Sequence, residues 1–356
     1  MKRNKIYLGN ALSILQSFPA ESIDCCITSP PYWGLRDYGT AKWEGGEVNC
    51  DHTINHYSDT LKPNCPRPFR GDKSLCIKCG AKRIDAQLGL EKTPEEYVSK
   101  MVEVFREVKR VLKKEGTLWL NLGDSYASQP SGSRKKGDLS YFNEEAEGIG
   151  RPNKIVKGLK PKDLVGIPWR IAFALQADGW YLRQDIIWSK PNPMPESVTD
   201  RCTKSHEYVF LLAKSPKYFF DNEAIKEPYT QPMNRWGGQK LKADGKSTWD
   251  KGTGQSTYRE RDMRPNPNGR NKRSVWIITT KPNPIRGVHF ATFPEDLIRP
   301  MILAGCPERG IILDPFIGSG TTAVVAQKLG RDYLGIELNP DYIKMAEKRL
   351  VQSILL

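Results

Sequence analysis

The segment 310–338 leaves the chain few architectures. Ile311-Ile312-Leu313 reads as a buried strand, Asp314-Pro315-Phe316-Ile317-Gly318-Ser319-Gly320 as a glycine loop, and residues 322–329 as a helix with Thr321 at its cap and Gly330 at its end. A second apolar run, Tyr333-Leu334-Gly335-Ile336-Glu337-Leu338, completes a strand–helix–strand unit. Gly318 and Gly320 let the backbone approach a ligand closely. Glu337 stands at the carboxyl end of the second strand, where a ribose diol lies in nucleotide-binding units of this kind. Only G-S-G-T-T is present and the third glycine of the dinucleotide fingerprint is missing, so a cofactor without a pyrophosphate fits better.

A second stretch lies near the other end of the chain. Residues 22–27 have the continuous apolar character of a strand buried on both faces of a parallel sheet, and Ser29-Pro30-Pro31-Tyr32 ends it. Two prolines fix their own φ angles and lack N–H donors, so the carbonyls of Ser29 and Pro30 are held extended without ladder partners. Such carbonyls accept from an NH₂ group. Tyr32 supplies a flat surface for stacking, and the Ser29 hydroxyl both donates and accepts. This combination suits chemistry on the amine of a nucleobase.

With S-P-P-Y early and D-P-F-I-G-S-G-T-T late, the chain resembles the S-adenosylmethionine-dependent DNA amino-methyltransferases, in the β-class order of motifs. Further stretches match that family at 116–124 (GTLWLNLGD), 182–195 (LRQDIIWSKPNPMP), 206–220 (HEYVFLLAKSPKYFF) and 289–305 (HFATFPEDLIRPMILAG), so the matches are spread from one end of the chain to the other. The I-T-S-P-P-Y form resembles the subset that methylates the exocyclic N4 of cytosine; D-P-P-Y and N-P-P-Y are more usual for adenine N6. The resemblance implies a doubly wound α/β fold with a mostly parallel sheet and an antiparallel strand pair. It implies that Ser29, Pro30, Pro31 and Tyr32 are catalytic. Asp314, Phe316, Gly318, Gly320 and Thr321 would shape the cofactor pocket, Glu337 would hold its ribose, and Thr292 and Phe293 would contribute from a helix start. Asn10 stands where many relatives carry Asp. Both target amines present the same N–H donors, so adenine N6 stays open as the alternative, and a catalytically inactive DNA-binding protein on the same scaffold is the remaining one.

A net charge of +14 over 356 residues points to a polyanionic partner, and with these motifs that partner is double-stranded DNA. The resemblance leaves room for a cognate restriction endonuclease and for a homodimer. No apolar run approaches the ~18 residues of a membrane span, and Met1-Lys2-Arg3-Asn4-Lys5 opens no signal sequence, so a cytoplasmic protein is expected. Eight cysteines in such a compartment are reduced or metal-bound. Cys50, His52, Cys76 and Cys79 fall in a polar insertion and suit tetrahedral zinc, with His56 and Cys65 as substitutes for the first pair. Cys25, Cys26, Cys202 and Cys306 read as packing residues.

Between these motifs, strand and helix alternate. Thr93-Pro94-Glu95-Glu96 is a capping box, followed by an apolar stripe through Tyr97, Met101, Val104, Phe105, Val108, Val111 and Leu112, with Gly116 as the stop. The strand at 117–122 delivers Asp124 to the edge that carries Pro30, either as a lining residue or as a turn residue. Residues 226–281 hold thirteen Lys or Arg against five Asp or Glu, which suits phosphate contacts. The chain therefore divides into a methyltransferase core (1–40, 88–125, 163–220 and 286–356), a zinc insertion (41–87), a mobile loop (126–162) and a basic target-recognition region (221–285).

Overall fold

The computed structural model describes residues 1–34, 40–47, 49–52, 75–76, 78–127, 158–229, 268–280 and 293–354. Most of the loop at 126–162 and much of the segment at 221–285 lie outside these, as do His56, Cys65 and Thr292. The main sheet has eight strands. In chain order they are β1 (Lys5–Leu8), β2 (Ile23–Thr28), β5 (Leu112–Leu122), β6 (Tyr181–Ser189), β7 (His206–Ala213), β8 (Val275–Ile277), β9 (Ile311–Asp314) and β10 (Asp332–Glu337). A separate two-stranded ribbon pairs β3 (Lys42–Glu44) with β4 (Lys82–Ile84). Across the main sheet the order is β1-β10-β9-β2-β5-β7-β6-β8, and only β7 runs antiparallel to its neighbours. The expected antiparallel pairing is thus one reversed strand, paired on both sides.

Side-chain alternation along the central strands feeds two apolar layers. Cys26, Leu118 and Leu120 point to a layer with α1 (Ala11–Gln16), α2 (Pro94–Val111) and α3 (Ile167–Ala177). Cys25, Ile27 and Trp119 point to the other, with α4 (Glu295–Gly305), α5 (Thr321–Lys328) and α6 (Pro340–Ile354). Both faces are covered, which explains the unbroken apolar run Cys25-Cys26-Ile27 in β2. On α2 the expected stripe is buried from Tyr97 to Val111, and Thr93 Oγ1 accepts from Glu96 N at 3.1 Å. Each of those large apolar side chains contributes about 1.5–3 kcal/mol of burial.

The helix stops earlier than Gly116. Leu112 is already extended and lies opposite Ile23 in the ladder, so β5 begins there. Strand pairing of a buried leucine outweighs the helix propensity of Lys113-Lys114-Glu115. Cys25, Cys26 and Cys306 are buried as expected, but Cys202 is exposed and packs no core.

The order reverses between β9 and β2. From β9 the chain crosses outward to β10, and from β2 it crosses the other way to β5, which leaves a crevice at the strands' carboxyl ends. One hydrogen bond spans this point: Thr28 Oγ1 donates to Asp314 Oδ1 at 2.6 Å, joining residues from opposite ends of the chain. Asp314 also accepts from Thr322 Oγ1 at 2.7 Å and Phe316 N at 3.1 Å. Burial outweighs these donors and pushes its carboxyl up from 3.8 to about 6. A carboxyl raised on folding stabilises most while protonated, and that contribution disappears as pH rises through the folded value; the penalty above it is on the order of 3 kcal/mol. Asp314→Asn is therefore expected to flatten stability between pH 3.8 and about 6 and to be no less stable at neutral pH. Denaturant midpoints that fall across this window as steeply as those of the wild type would count against this reading.

Candidate active site

Four strand ends meet at the crevice. β1 delivers Gly9 and Asn10, β2 delivers Ser29 and Pro30, β9 leads into Pro315 and Phe316, and β10 ends at Glu337; all line one cleft of about 580 Å³. The volume suits a nucleoside-sized ligand. Pro31, Tyr32, Phe293, Gly318 and Thr321 share the wall, and Thr40, Gln87 and Leu88 close it from the ribbon side.

On the β10 side, Gly318 at φ +51° turns its N–H toward Glu337 Oε2, 2.9 Å away, while Asn339 N donates to Oε1 at 2.8 Å. Burial raises the Glu337 carboxyl above its usual value, against these backbone donors. The carboxylate thus fixes the loop and still faces the cleft with its remaining lone pairs. Gly320 takes the cap position of α5 at φ +84°, and Thr321 is the first helical residue, not the cap. A β-carbon at Gly320 would lie 2.7 Å from Ala346 Cβ, so its smallness serves packing on α6 instead of ligand approach. Asp314 and Gly320 do not lie on the cleft wall; they shape it from behind. Asn10 lines the cleft and also caps α1, accepting from Ser13 N at 3.3 Å. Arg349, which the motifs did not flag, reaches Ser319 O at 2.8 Å and Thr321 Oγ1 at 3.1 Å and so clamps the loop from α6.

On the β2 side, the Pro31 carbonyl accepts from Tyr97 Oη at 2.8 Å, which ties the turn to α2. Ser29 Oγ donates to Tyr32 Oη at 3.3 Å, and Tyr32 Oη donates to Glu207 Oε2 at 2.8 Å. Glu207 also accepts from Asn121 Nδ2 at 3.1 Å and is ion-paired with Lys190. Burial, followed by the neighbouring Glu207 charge, pushes the Tyr32 phenol well above its usual value, so it stays a donor. Glu207, Asn121 and Lys190 were missed as site residues. Their one sequence signal was charge or an amide placed at the ends of otherwise apolar strands.

Gly123 lies against Tyr32: a β-carbon there would sit 2.6 Å from ring atom Cε2. Because the ring hangs from two prolines and is tethered at its hydroxyl, it cannot yield cheaply. Gly123→Ala is expected to lower turnover at this cleft at least tenfold with ligand affinity on the Glu337 side unchanged; equal turnover would show that the ring's placement is immaterial. Asp124 does not line the cleft. Its carboxylate accepts from Ser125 N, Gly166 N and Ile167 N at 2.9–3.1 Å, satisfying the start of α3. Part of the expected phosphate-binding charge is also committed elsewhere: Arg270, Lys272 and Arg273 all lie within 3.6 Å of Glu227 carboxylate oxygens. Cys50, His52, Cys76 and Cys79 do not line the cleft but gather in one place, with ligand atoms all within 4.8 Å of one another. Among the described residues no helix is long and apolar enough to cross a membrane.

A cleft at the switch point of a mostly parallel sheet, with a proline turn on one wall and a glycine loop on the other, is the kind of site that takes a nucleotide-like ligand. The chain belongs to the N6/N4 DNA methylase family, whose sequence model, described as DNA methylase, matches residues 23–348. It is 41% identical over 345 residues to the type II methyltransferase M.Cfr9I of Citrobacter freundii (97% of this chain, 87% of that one). It is 42% identical over 348 residues to the type II methyltransferase M.SmaI of Serratia marcescens (98% and 91%). The fold is similar to that of the PvuII DNA methyltransferase, described as cytosine-N4-specific, with a TM-score of 0.55 at 16% identity over 98% of this chain and 86% of that one. It is also similar to TTHA0409 of Thermus thermophilus complexed with S-adenosyl-L-methionine, with a TM-score of 0.51 at 18% identity (99% and 94%).

Proposed function

We propose that this DNA methyltransferase transfers a methyl group from S-adenosylmethionine to the exocyclic N4 of cytosine in double-stranded DNA, at a specific sequence. The observation that carries the reading is the opposition of Ser29-Pro30-Pro31-Tyr32 and the 316–321 loop across one cleft at the sheet's switch point. S-adenosylmethionine supplies a methyl group already activated by its sulfonium charge. Glu337 would hold the ribose diol, Phe316 and Phe293 would give apolar walls, and Asn10 lines the same pocket.

The amine is the weak partner, because its lone pair is delocalised into the ring. Ser29 passes its proton toward Tyr32, which in turn donates to Glu207, so the Ser29 lone pairs are left for an N–H of the target. The Pro30 carbonyl takes the other N–H. Two acceptors drawing on one NH₂ group shift its nitrogen toward tetrahedral geometry and align it for in-line displacement. A base inside a duplex cannot enter such a cleft, so the nucleotide is flipped out, at a cost of a few kcal/mol that stacking on Tyr32 partly offsets.

Cytosine N4 is favoured over adenine N6 by the serine at the head of the motif. The same reading suits either the modification half of a restriction–modification system, with a cognate endonuclease as partner, or an orphan methyltransferase that has none, and it allows a homodimer. Methylating DNA with the purified chain and S-adenosylmethionine, digesting to nucleosides and weighing them decides the matter. N4-methyl-2′-deoxycytidine is expected, N6-methyl-2′-deoxyadenosine would install the alternative, and cofactor binding with no methylated base would favour an inactive DNA-binding scaffold.

A further inference from the structure

Residues 41–87 interrupt the core, and those of them that the structure describes have almost no core of their own. Among the described residues of this insertion, Cys76 and Ala81 are the only buried apolar side chains, and the β3–β4 ribbon is only three residues long on each strand. So small a ribbon does not hold by burial and ladder bonds alone. Yet it presents four ligand atoms in one place. Cys50 Sγ lies 3.7 Å from Cys76 Sγ, and Cys79 Sγ lies 3.4 Å from His52 Nδ1. Tetrahedral zinc with bonds of about 2.3 Å to sulfur and 2.0–2.1 Å to nitrogen gives sulfur–sulfur edges of about 3.8 Å and sulfur–nitrogen edges of about 3.5 Å.

The backbone is shaped around that point. Cys76 N donates to Ala81 O at 2.7 Å and Gly80 N to Cys76 O at 2.9 Å, with Gly80 at φ +72°, which folds the C-x-x-C-G turn so that both thiols face inward. Gly46 packs so close that a β-carbon there would lie 2.6 Å from Cys79 Sγ. His52 is held at φ +37°, uncommon for a residue with a side chain, and its ring stacks on Trp43 at 5.1 Å. Three thiolates and one imidazole make a closed set with no open position, the mark of a structural ion and not of a Lewis acid.

The ribbon leads directly to the cleft. β4 runs into Asp85, which accepts from Thr40 Oγ1 and from Gln87 N, both at 3.0 Å; Thr40, Gln87 and Leu88 are cleft wall. Next, Gly89 O accepts from Gly34 N at 2.7 Å, and a β-carbon at Gly89 would lie 2.9 Å from Tyr32 O. Trp33 Nε1 donates to Glu91 O at 2.9 Å. The segment 85–91 is thus pressed along the backbone of the proline turn on one side and anchored in the ribbon on the other.

We infer that Cys50, His52, Cys76 and Cys79 bind one zinc ion whose occupancy braces the ribbon-side wall of the methyl-transfer cleft, so that zinc and the cofactor bind with positive coupling. The metal site stands on its own geometry, and naming the cofactor rests on the methyltransferase reading. Coupling is reciprocal: if zinc tightens the cofactor, the cofactor slows the loss of zinc.

The test uses the full chain. Metal analysis of the protein purified without chelators is expected to find zinc equimolar with the chain. Cys76→Ala combined with Cys79→Ala should lose the metal, keep the helical circular dichroism of the core, and bind S-adenosylhomocysteine roughly 5–150-fold more weakly. His52→Cys, which preserves a four-ligand set, should keep both. On the wild type, transfer of zinc to a chromogenic chelator should slow when S-adenosylhomocysteine is present, a readout that needs no variant to fold. Protein that holds no zinc even after equimolar addition would overturn the site. Zinc loss at the same rate with and without S-adenosylhomocysteine would overturn the brace, as would wild-type affinity in the zinc-free pair. A zinc-loaded wild type with no affinity for S-adenosylhomocysteine would instead overturn the methyltransferase reading and the coupling with it, leaving the metal analysis to judge the site.

Discussion

Tyr32→Ala is expected to lower kcat/KM for DNA methylation by roughly 10²–10³-fold while S-adenosylmethionine affinity stays within about twofold. Two losses add up. In the proposed reaction the ring would be the stacking surface for the everted base, and base–aromatic stacking is worth about 1–3 kcal/mol. Its hydroxyl is also the acceptor that turns the Ser29 proton away from the target, so without it Ser29 is free to point its hydrogen at the amine. Tyr32→Phe separates the two. It keeps the ring and deletes the relay to Glu207, and about a tenfold loss is expected from it, the net worth of one hydrogen bond. Steady-state methylation of a cognate duplex with calorimetric cofactor titration reads both quantities. Full turnover in Tyr32→Ala would remove the residue from the catalytic role.

Glu337→Ala is the complementary case, with the loss expected in cofactor affinity. Deleting the carboxylate removes the acceptor for the ribose diol and leaves Gly318 N and Asn339 N without the partners that hold the glycine loop. Hydrogen bonds to a charged group are worth about 1.5–3 kcal/mol each, so the dissociation constant for S-adenosylmethionine should rise by about 10²-fold. Glu337→Gln keeps an acceptor oxygen and should recover part of it. An unchanged dissociation constant in Glu337→Ala would place the cofactor elsewhere and undo the assignment of both walls.

The contrast between these two residues bears on what a sequence can disclose. Glu337 was legible because its role is local: a strand, a short loop and a helix position a carboxylate by geometry that any such unit repeats. Tyr32 was legible as a residue but not in its circuitry, since its partners Asn121 and Glu207 come from β5 and β7, far along the chain. Gly320 was read as letting the backbone approach a ligand, and Asp124 stayed open between a lining and a turn residue, for one reason. Motif spacing tells which residues cluster but not whether a side chain faces the cleft or the helix behind it. The end of α2 was misplaced for a related cause, as Leu112 obeys its partner Ile23 on a strand nearly ninety positions earlier.

By itself the sequence determined the class of fold, the two motif walls, a candidate set of Cys and His metal ligands and the expectation of a DNA partner, because these follow from period, spacing and charge, which are local or additive. Only the tertiary structure decided that Thr28 is bonded to Asp314 across the switch point, that Glu207 ends the hydrogen-bond chain from Ser29 through Tyr32, and that the segment leaving the β3–β4 ribbon packs along the proline turn. Those contacts join segments tens to hundreds of residues apart, and their geometry is set by how sheet and helices pack, a property of the whole chain that no window of sequence contains.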